Sequence, residues 1–184
     1  MPAIVTVSIN LPNILTLGRI ALILPFALLF LHGSAMTRWE ALALFLLAAV
    51  TDWLDGHLAR RLGQESALGR MMDPIADKLL VATAIILLIA TGAIAGWQVA
   101  AALAILLREI AVSGFREHLG PLGIIVPVSR LAKWKTASQL VSMSILIAPL
   151  EALQPAGDVM LWVAAAVTLV TGGSYLMATL RSLS

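Results

Sequence analysis

Along this chain, apolar and charged positions are sorted into long blocks. Residues 20–37, 79–107 and 159–180 contain no Asp, Glu, Lys or Arg, and each run approaches or exceeds the about 20 apolar residues needed to cross a bilayer. Breakers punctuate the blocks at 32–34, at Gly63 and Gly69, and at 92–96, 120–127 and 149–157. Between them the pattern predicts six helices, at about 14–32, 37–60, 70–91, 95–118, 128–149 and 158–180.

The run 79–107 is long enough to be one tilted helix, and charge argues that it is two. The flanking segments 60–78 and 108–135 are both rich in Arg and Lys. The positive-inside rule puts both on the cytoplasmic side, so the chain must cross twice between them and turn at "TGAIAG". In the resulting topology eleven of the twelve Lys and Arg face inward, all but Arg38, and both termini are cytoplasmic.

Composition agrees. The 184 residues are 60% hydrophobic and 12% charged, with a mean hydropathy of +0.98, far from a soluble globular average. The expectation is an all-α integral membrane protein with six transmembrane helices, a single domain over 1–184. A cleaved signal peptide is the alternative for the N-terminus. Against it, the first positive charge is Arg19, so no basic leader precedes the apolar run, and 14–31 reads as a retained span. With no cysteine, disulfides, thiolate catalysis and cysteine–metal sites are excluded. No nucleic-acid motif is present.

Against this background the stretch "TDWLDGHLARRLGQESALGRMMDPIADK" is anomalous. It holds Asp52, Asp55, Asp73 and Asp77, four of the ten acidic residues. Asp52 and Asp55 stand three apart on the second predicted helix, and Asp73 and Asp77 four apart on the third, so each pair shares a helix face. Gly56 and Ala59 keep the first of these faces low. A connection of about nine residues makes the two helices antiparallel neighbours. Carboxylates that close repel by ~4 kcal/mol per pair at an effective dielectric near 20, so protons or cations must resolve them. An oxygen-only donor set favours a hard divalent ion: Mg²⁺, Mn²⁺ or Ca²⁺. The bland alternatives are a solvated acidic loop, or salt bridges to Arg60, Arg70 and Lys78. Salt bridges alone would not require the same-face spacing on both helices.

Asp52, Asp55, Gly56, Ala59, Arg60, Gly69, Asp73 and Asp77 fill all eight fixed positions of the pattern D-x2-D-G-x2-A-R-x8-G-x3-D-x3-D. This stretch resembles the signature of the CDP-alcohol phosphatidyltransferase family. "LPNILTLGRI", "REIAVSGFRE" and "SRLAKWKTASQLVSM" are similar to segments of its phosphatidylglycerophosphate synthase branch, so the likeness runs over about 11–145. It implies an enzyme that transfers the phosphatidyl group of CDP-diacylglycerol to an alcohol and releases CMP. By that resemblance Asp52, Asp55, Asp73 and Asp77 hold the metal, Mg²⁺ or Mn²⁺, and Asp77 also acts as general base. Asn13, Thr16, Gly56, Ala59, Arg60, Ser66 and Gly69 bind CDP-diacylglycerol. For Asn13, a helix N-cap is an equal alternative. The resemblance further implies a homodimer, and so compact a chain suits a bacterial inner membrane with its site facing the cytoplasm.

An anionic acceptor needs cations of its own. Arg108, Arg116, Lys133 and Lys135 fall at the inner ends of the fourth and fifth predicted helices and suit a phosphate, which favours glycerol 3-phosphate. Positive-inside anchoring on lipid headgroups is the competing explanation. Arg108, behind a long apolar run, lies deepest, and Glu109 is expected to pair with one of these cations. Phosphatidylglycerol, inositol phosphate or serine as acceptor, and a divalent-cation transporter, are the rival functions. The transporter predicts an ionisable pathway continuing past the midplane, yet on the outer side only His32, Arg38, Glu40, Glu151 and Asp158 are found, all near the border. Trp39, Trp97 and Trp134 sit at predicted span ends, as interfacial aromatics do. Gly172 and Gly173 allow close packing in the last helix.

Overall fold

The computed structural model describes residues 11–62, 66–120 and 131–183, and within them not the side chains of 12, 53, 55–60, 62, 67, 70, 132 and 181–183. Among the described residues there are six α-helices: α1 (Leu11–His32), α2 (Ala35–Leu62), α3 (Ala67–Ala90), α4 (Gln98–Leu119), α5 (Leu131–Ile147) and α6 (Gln154–Leu183). A short 3₁₀ turn, Glu151–Leu153, precedes α6. Among the described residues three stretches are long and apolar enough to cross a membrane: Asn13–His32, Gln98–Leu119 and Glu151–Leu180.

The helix ends follow local chemistry. Gly33, at φ +80°, closes α1 in the left-handed conformation that glycine adopts freely. Ser34 then caps α2, its Oγ accepting from the Thr37 N–H at 3.2 Å. Ser66 caps α3 in the same way, accepting from the Gly69 N–H at 2.9 Å. The apolar run 79–107 is two helices, as its flanking charge required. The chain turns between Ala90 and Gln98 through Gly92 (φ +75°) and Gly96 (φ +55°), and Ile94 is buried in the turn.

Several boundaries depart from expectation by three residues or more: α1 begins at Leu11 rather than 14, α3 at Ala67 rather than 70, and α6 ends at Leu183 rather than 180. Positive φ at Gly96 holds off α4 until Gln98, three residues later than predicted. Conversely α6 starts at Gln154, where 149–157 had been read as a break. Pro155 lies in its first turn, where a missing N–H costs nothing. At Gly157, inside this helix, a Cβ would fall within 2.8 Å of Leu146 Cγ, so the bare backbone lets α5 close on α6. The Ser142 hydroxyl seals that approach by donating to the Gly157 carbonyl at 3.1 Å.

The chain divides into two compact units, Met1–Thr83 and Ala84–Ser184. In the first, α1 packs on α2 through Phe26, Phe30 and Phe45, all buried. The Phe26 ring centroid lies 6.2 Å from Phe30 and 5.8 Å from Phe45, and the Arg38 guanidinium covers the Phe30 ring at 5.0 Å. In the second, α6 packs on both α4 and α5. Its core is small and aliphatic: Ala101, Ala102, Ile105, Met143, Leu146, Leu161, Ala164 and Ala165.

Candidate active site

The acidic cluster of the first unit is organised by α1. Asn13, Thr16 and Arg19 stand three apart, so they share a face, and each is only 1% exposed. Each reaches a different place on the neighbouring helices. Asn13 Oδ1 accepts from Ser66 Oγ at 2.7 Å. Thr16 Oγ1 donates to Asp73 Oδ1 at 2.7 Å. The Arg19 guanidinium, fully buried, is ion-paired with Asp52 Oδ1. One helix face thus touches the carboxylates of both α2 and α3.

The Thr16 and Arg19 contacts each engage Oδ1 of their carboxylate, and the Asp52 side chain is 41% exposed. Among the described residues no other side chain bonds Oδ2 of Asp52 or Asp73. A hard cation needs such an arrangement, with oxygen ligands held in place from behind and still able to coordinate. Asp77, one turn beyond Asp73 on α3, is half-buried. Asp55, Gly56, Ala59 and Arg60 lie on the unbroken α2 helix, but their side-chain positions fall outside the described residues. Among the described residues no three His, Cys, Asp or Glu side chains form a group that could hold a metal ion.

The structure gives three of the sequence-derived positions a definite local role. Asn13 lies within α1 and uses its amide on Ser66, so it does not act as the helix N-cap considered above. Ser66 both caps α3 and donates to Asn13. Gly69 packs closely on this pair: a Cβ there would stand 3.0 Å from Asn13 Oδ1 and 3.2 Å from Ser66 Oγ, so both would have to give way by a few tenths of an ångström. Arg19 is the residue that sequence reasoning missed, because it was counted only as an inward-facing charge. Its three-residue spacing from Thr16 was the available signal.

In the second unit, Arg108 and Lys135 converge on Glu109. Lys135 Nζ donates to Glu109 Oε1 at 2.7 Å, and Arg108 Nη1 to the same oxygen at 3.3 Å. Gln139 Nε2 joins them at 3.3 Å and also donates to Thr168 Oγ1 at 2.9 Å. Arg108 Nη2 donates to Thr171 Oγ1 at 3.3 Å. Two cations therefore face one carboxylate in a largely buried network, with an excess positive charge suited to an anion. Thr168 and Thr171 had no signal in the sequence beyond being polar within an apolar helix, and Gln139 had only its place in the family-like segment "SRLAKWKTASQLVSM". Arg116 and Lys133 are not in this network. Both are exposed, and Arg116 lies over the Tyr175 ring at 5.9 Å.

Comparison with known proteins places this geometry. The family model for CDP-alcohol phosphatidyltransferase matches residues 9–170. A Rickettsia bellii protein named CDP-diacylglycerol–glycerol-3-phosphate 3-phosphatidyltransferase is 42% identical over 174 residues, covering 92% of this chain and 94% of its own. A Bacillus subtilis protein of the same name is 38% identical, with 90% and 93% covered. An Arabidopsis thaliana protein, whose name differs only in a final 2, is 38% identical, with 88% and 76% covered. The eight-position signature falls inside the matched region, on α2 and α3, where α1 contacts Asp52 and Asp73, and the chain belongs to the CDP-alcohol phosphatidyltransferase family.

Proposed function

We propose that this chain transfers the phosphatidyl group of CDP-diacylglycerol to glycerol 3-phosphate, giving phosphatidylglycerophosphate and CMP. The observation that carries the reading is similarity over about nine-tenths of both chains to relatives named for that reaction. Arg108 and Lys135, gathered on Glu109, support an acceptor that brings its own phosphate.

In the transfer, an acceptor hydroxyl oxygen bonds to the phosphorus of the phosphatidyl group. The bond from that phosphorus to the CMP oxygen breaks, and CMP leaves with the electron pair. Asp77 takes the hydroxyl proton. Asp52, Asp55, Asp73 and Asp77 are the residues that would hold a divalent cation, Mg²⁺ or Mn²⁺. When bound, it supplies Lewis-acid neutralisation of the diphosphate charge. Gly56, Ala59, Arg60, Ser66 and Gly69 lie along the nucleotide lipid, with Asn13 and Thr16 bracing that wall from α1. Arg108 and Lys135 bind the acceptor phosphate, and Arg116 and Lys133 serve it from the periphery.

The reading extends to the membrane. Six spans, cytoplasmic termini and a site facing the cytoplasm follow from the inward bias of Lys and Arg. The proposed setting is a bacterial inner membrane, with the chain as one domain and a homodimer as the assembly.

The test is CMP release by purified protein in mixed micelles of CDP-diacylglycerol with Mg²⁺ and a panel of acceptors. Glycerol 3-phosphate is expected to support turnover, EDTA to abolish it, and added Mg²⁺ or Mn²⁺ to restore it. Turnover with inositol phosphate, serine or phosphatidylglycerol alone would reassign the acceptor. Turnover indifferent to EDTA would remove the metal. Asp77→Asn should still bind CDP-diacylglycerol yet release no CMP, and near-normal release would exclude it as the base.

A further inference from the structure

Arg108 is held by a position on the last helix that lies beyond the family match, which ends at residue 170. At Gly172 an added Cβ would stand 2.7 Å from Arg108 Cγ and 3.3 Å from its Nε. The side chain of Arg108 therefore runs directly over the bare backbone of α6. Cγ is only one bond from Cβ, so flexing the far end of the arginine would not relieve the clash. Rotation about χ1 would, and it would swing the whole guanidinium away. Gly173, the next residue, has nothing within 4 Å of its would-be Cβ. Of the two adjacent glycines, only Gly172 is needed for this packing.

The rest of the seat is polar. Thr171, one residue earlier, accepts from Arg108 Nη2, while Glu109 accepts from Nη1. Arg108 Nε is buried with no hydrogen-bond partner among the described residues. An unmet donor is a cost that a merely space-filling arginine would shed by adopting another rotamer. Each terminal nitrogen is pinned by one N–H and retains a second, and two such N–H groups match the paired oxygens of a phosphate.

We propose that Gly172 is a positioning residue for the acceptor: its missing side chain is the seat that fixes the Arg108 guanidinium for the acceptor's phosphate. The last helix thereby sets acceptor affinity without touching the substrate. This rests on the assignment of Arg108 to the acceptor phosphate above.

The experiment compares Gly172→Ala, Gly173→Ala, Thr171→Val and Arg108→Ala, with KM measured separately for glycerol 3-phosphate and CDP-diacylglycerol. Both alanine-for-glycine changes raise helix propensity alike, so their difference isolates the seat. Gly172→Ala is expected to raise the glycerol 3-phosphate KM by about tenfold or more, the scale of one charge-assisted hydrogen bond. Its CDP-diacylglycerol KM should stay within about twofold, and Gly173→Ala should match the unsubstituted protein. If Arg108→Ala raises the acceptor KM selectively and Gly172→Ala does not, the seat is overturned and the acceptor site stands. If Arg108→Ala has no selective effect, the underlying assignment fails and the inference with it. Should Gly172→Ala not fold, Thr171→Val decides. It adds no bulk and should raise the acceptor KM several-fold, whereas an unchanged KM overturns the proposal.

Discussion

One turn of α1 separates Thr16 from Arg19, and that turn links two carboxylates belonging to different helices. Burying a guanidinium as completely as Arg19 is costly unless its charge is paired, and Asp52 supplies the pairing. In the sequence Arg19 had an adequate explanation as an inward-facing charge. Its partner is 33 positions away, and no local pattern connects the two. If Arg19 steadies Asp52 for a cation, Arg19→Gln should raise the Mg²⁺ concentration for half-maximal turnover by about tenfold or more, as losses behind metal ligands do. It should weaken Mn²⁺ binding measured by electron paramagnetic resonance in parallel. Tighter Mn²⁺ binding would show instead that Arg19 competes with the cation for Asp52.

Helix boundaries were the most legible feature at the scale of elements, because short-range chemistry sets them. The glycines at 33, 92 and 96 adopt positive φ, and Ser34 and Ser66 cap the helices they precede. The start of α6 was misread because Pro155 and Gly157 read locally as breakers, whereas Gly157 lies inside the helix and gives Leu146 a close approach, which is a tertiary fact. Ser66 ties element to site, since its oxygen both caps α3 and anchors Asn13. Ser66→Ala should lower stability by about 1 kcal/mol, a drop of roughly 2–4 °C in Tm for a chain of this size. Ser66→Thr should recover most of it. Equal Tm values for the alanine and threonine variants would show that the Gly69 N–H needs no side-chain partner.

At the scale of the molecule, the three stretches among the described residues that are apolar enough to cross a membrane belong to α1, α4 and the α6 region. α2 and α3 carry the four carboxylates, and the described α5 is 17 residues long. Function thus dilutes the hydropathy of the helices that bear it, and the proposed six crossings rest on charge asymmetry rather than on apolar length. A direct check uses the absence of native cysteine. Met36→Cys and His118→Cys place single thiols at exposed positions on opposite proposed sides. In intact spheroplasts a membrane-impermeant maleimide should label the first alone, and both after permeabilisation. Labelling of His118→Cys in intact spheroplasts would refute the assigned side.

The sequence by itself determined the membrane class, the division of the run 79–107, the acidic signature and the family resemblance. All of these are carried by composition, by short spacings or by residue order. Tertiary structure decided which groups meet: Arg19 with Asp52, Thr16 with Asp73, and Lys135, Gln139 and Arg108 around one oxygen of Glu109. It also distinguished Gly172 from Gly173, which are equivalent as letters. The physical reason is range. Turn, cap and helix preferences act within about four residues, whereas a buried charge is satisfied by whatever partner the packed chain brings within hydrogen-bonding distance.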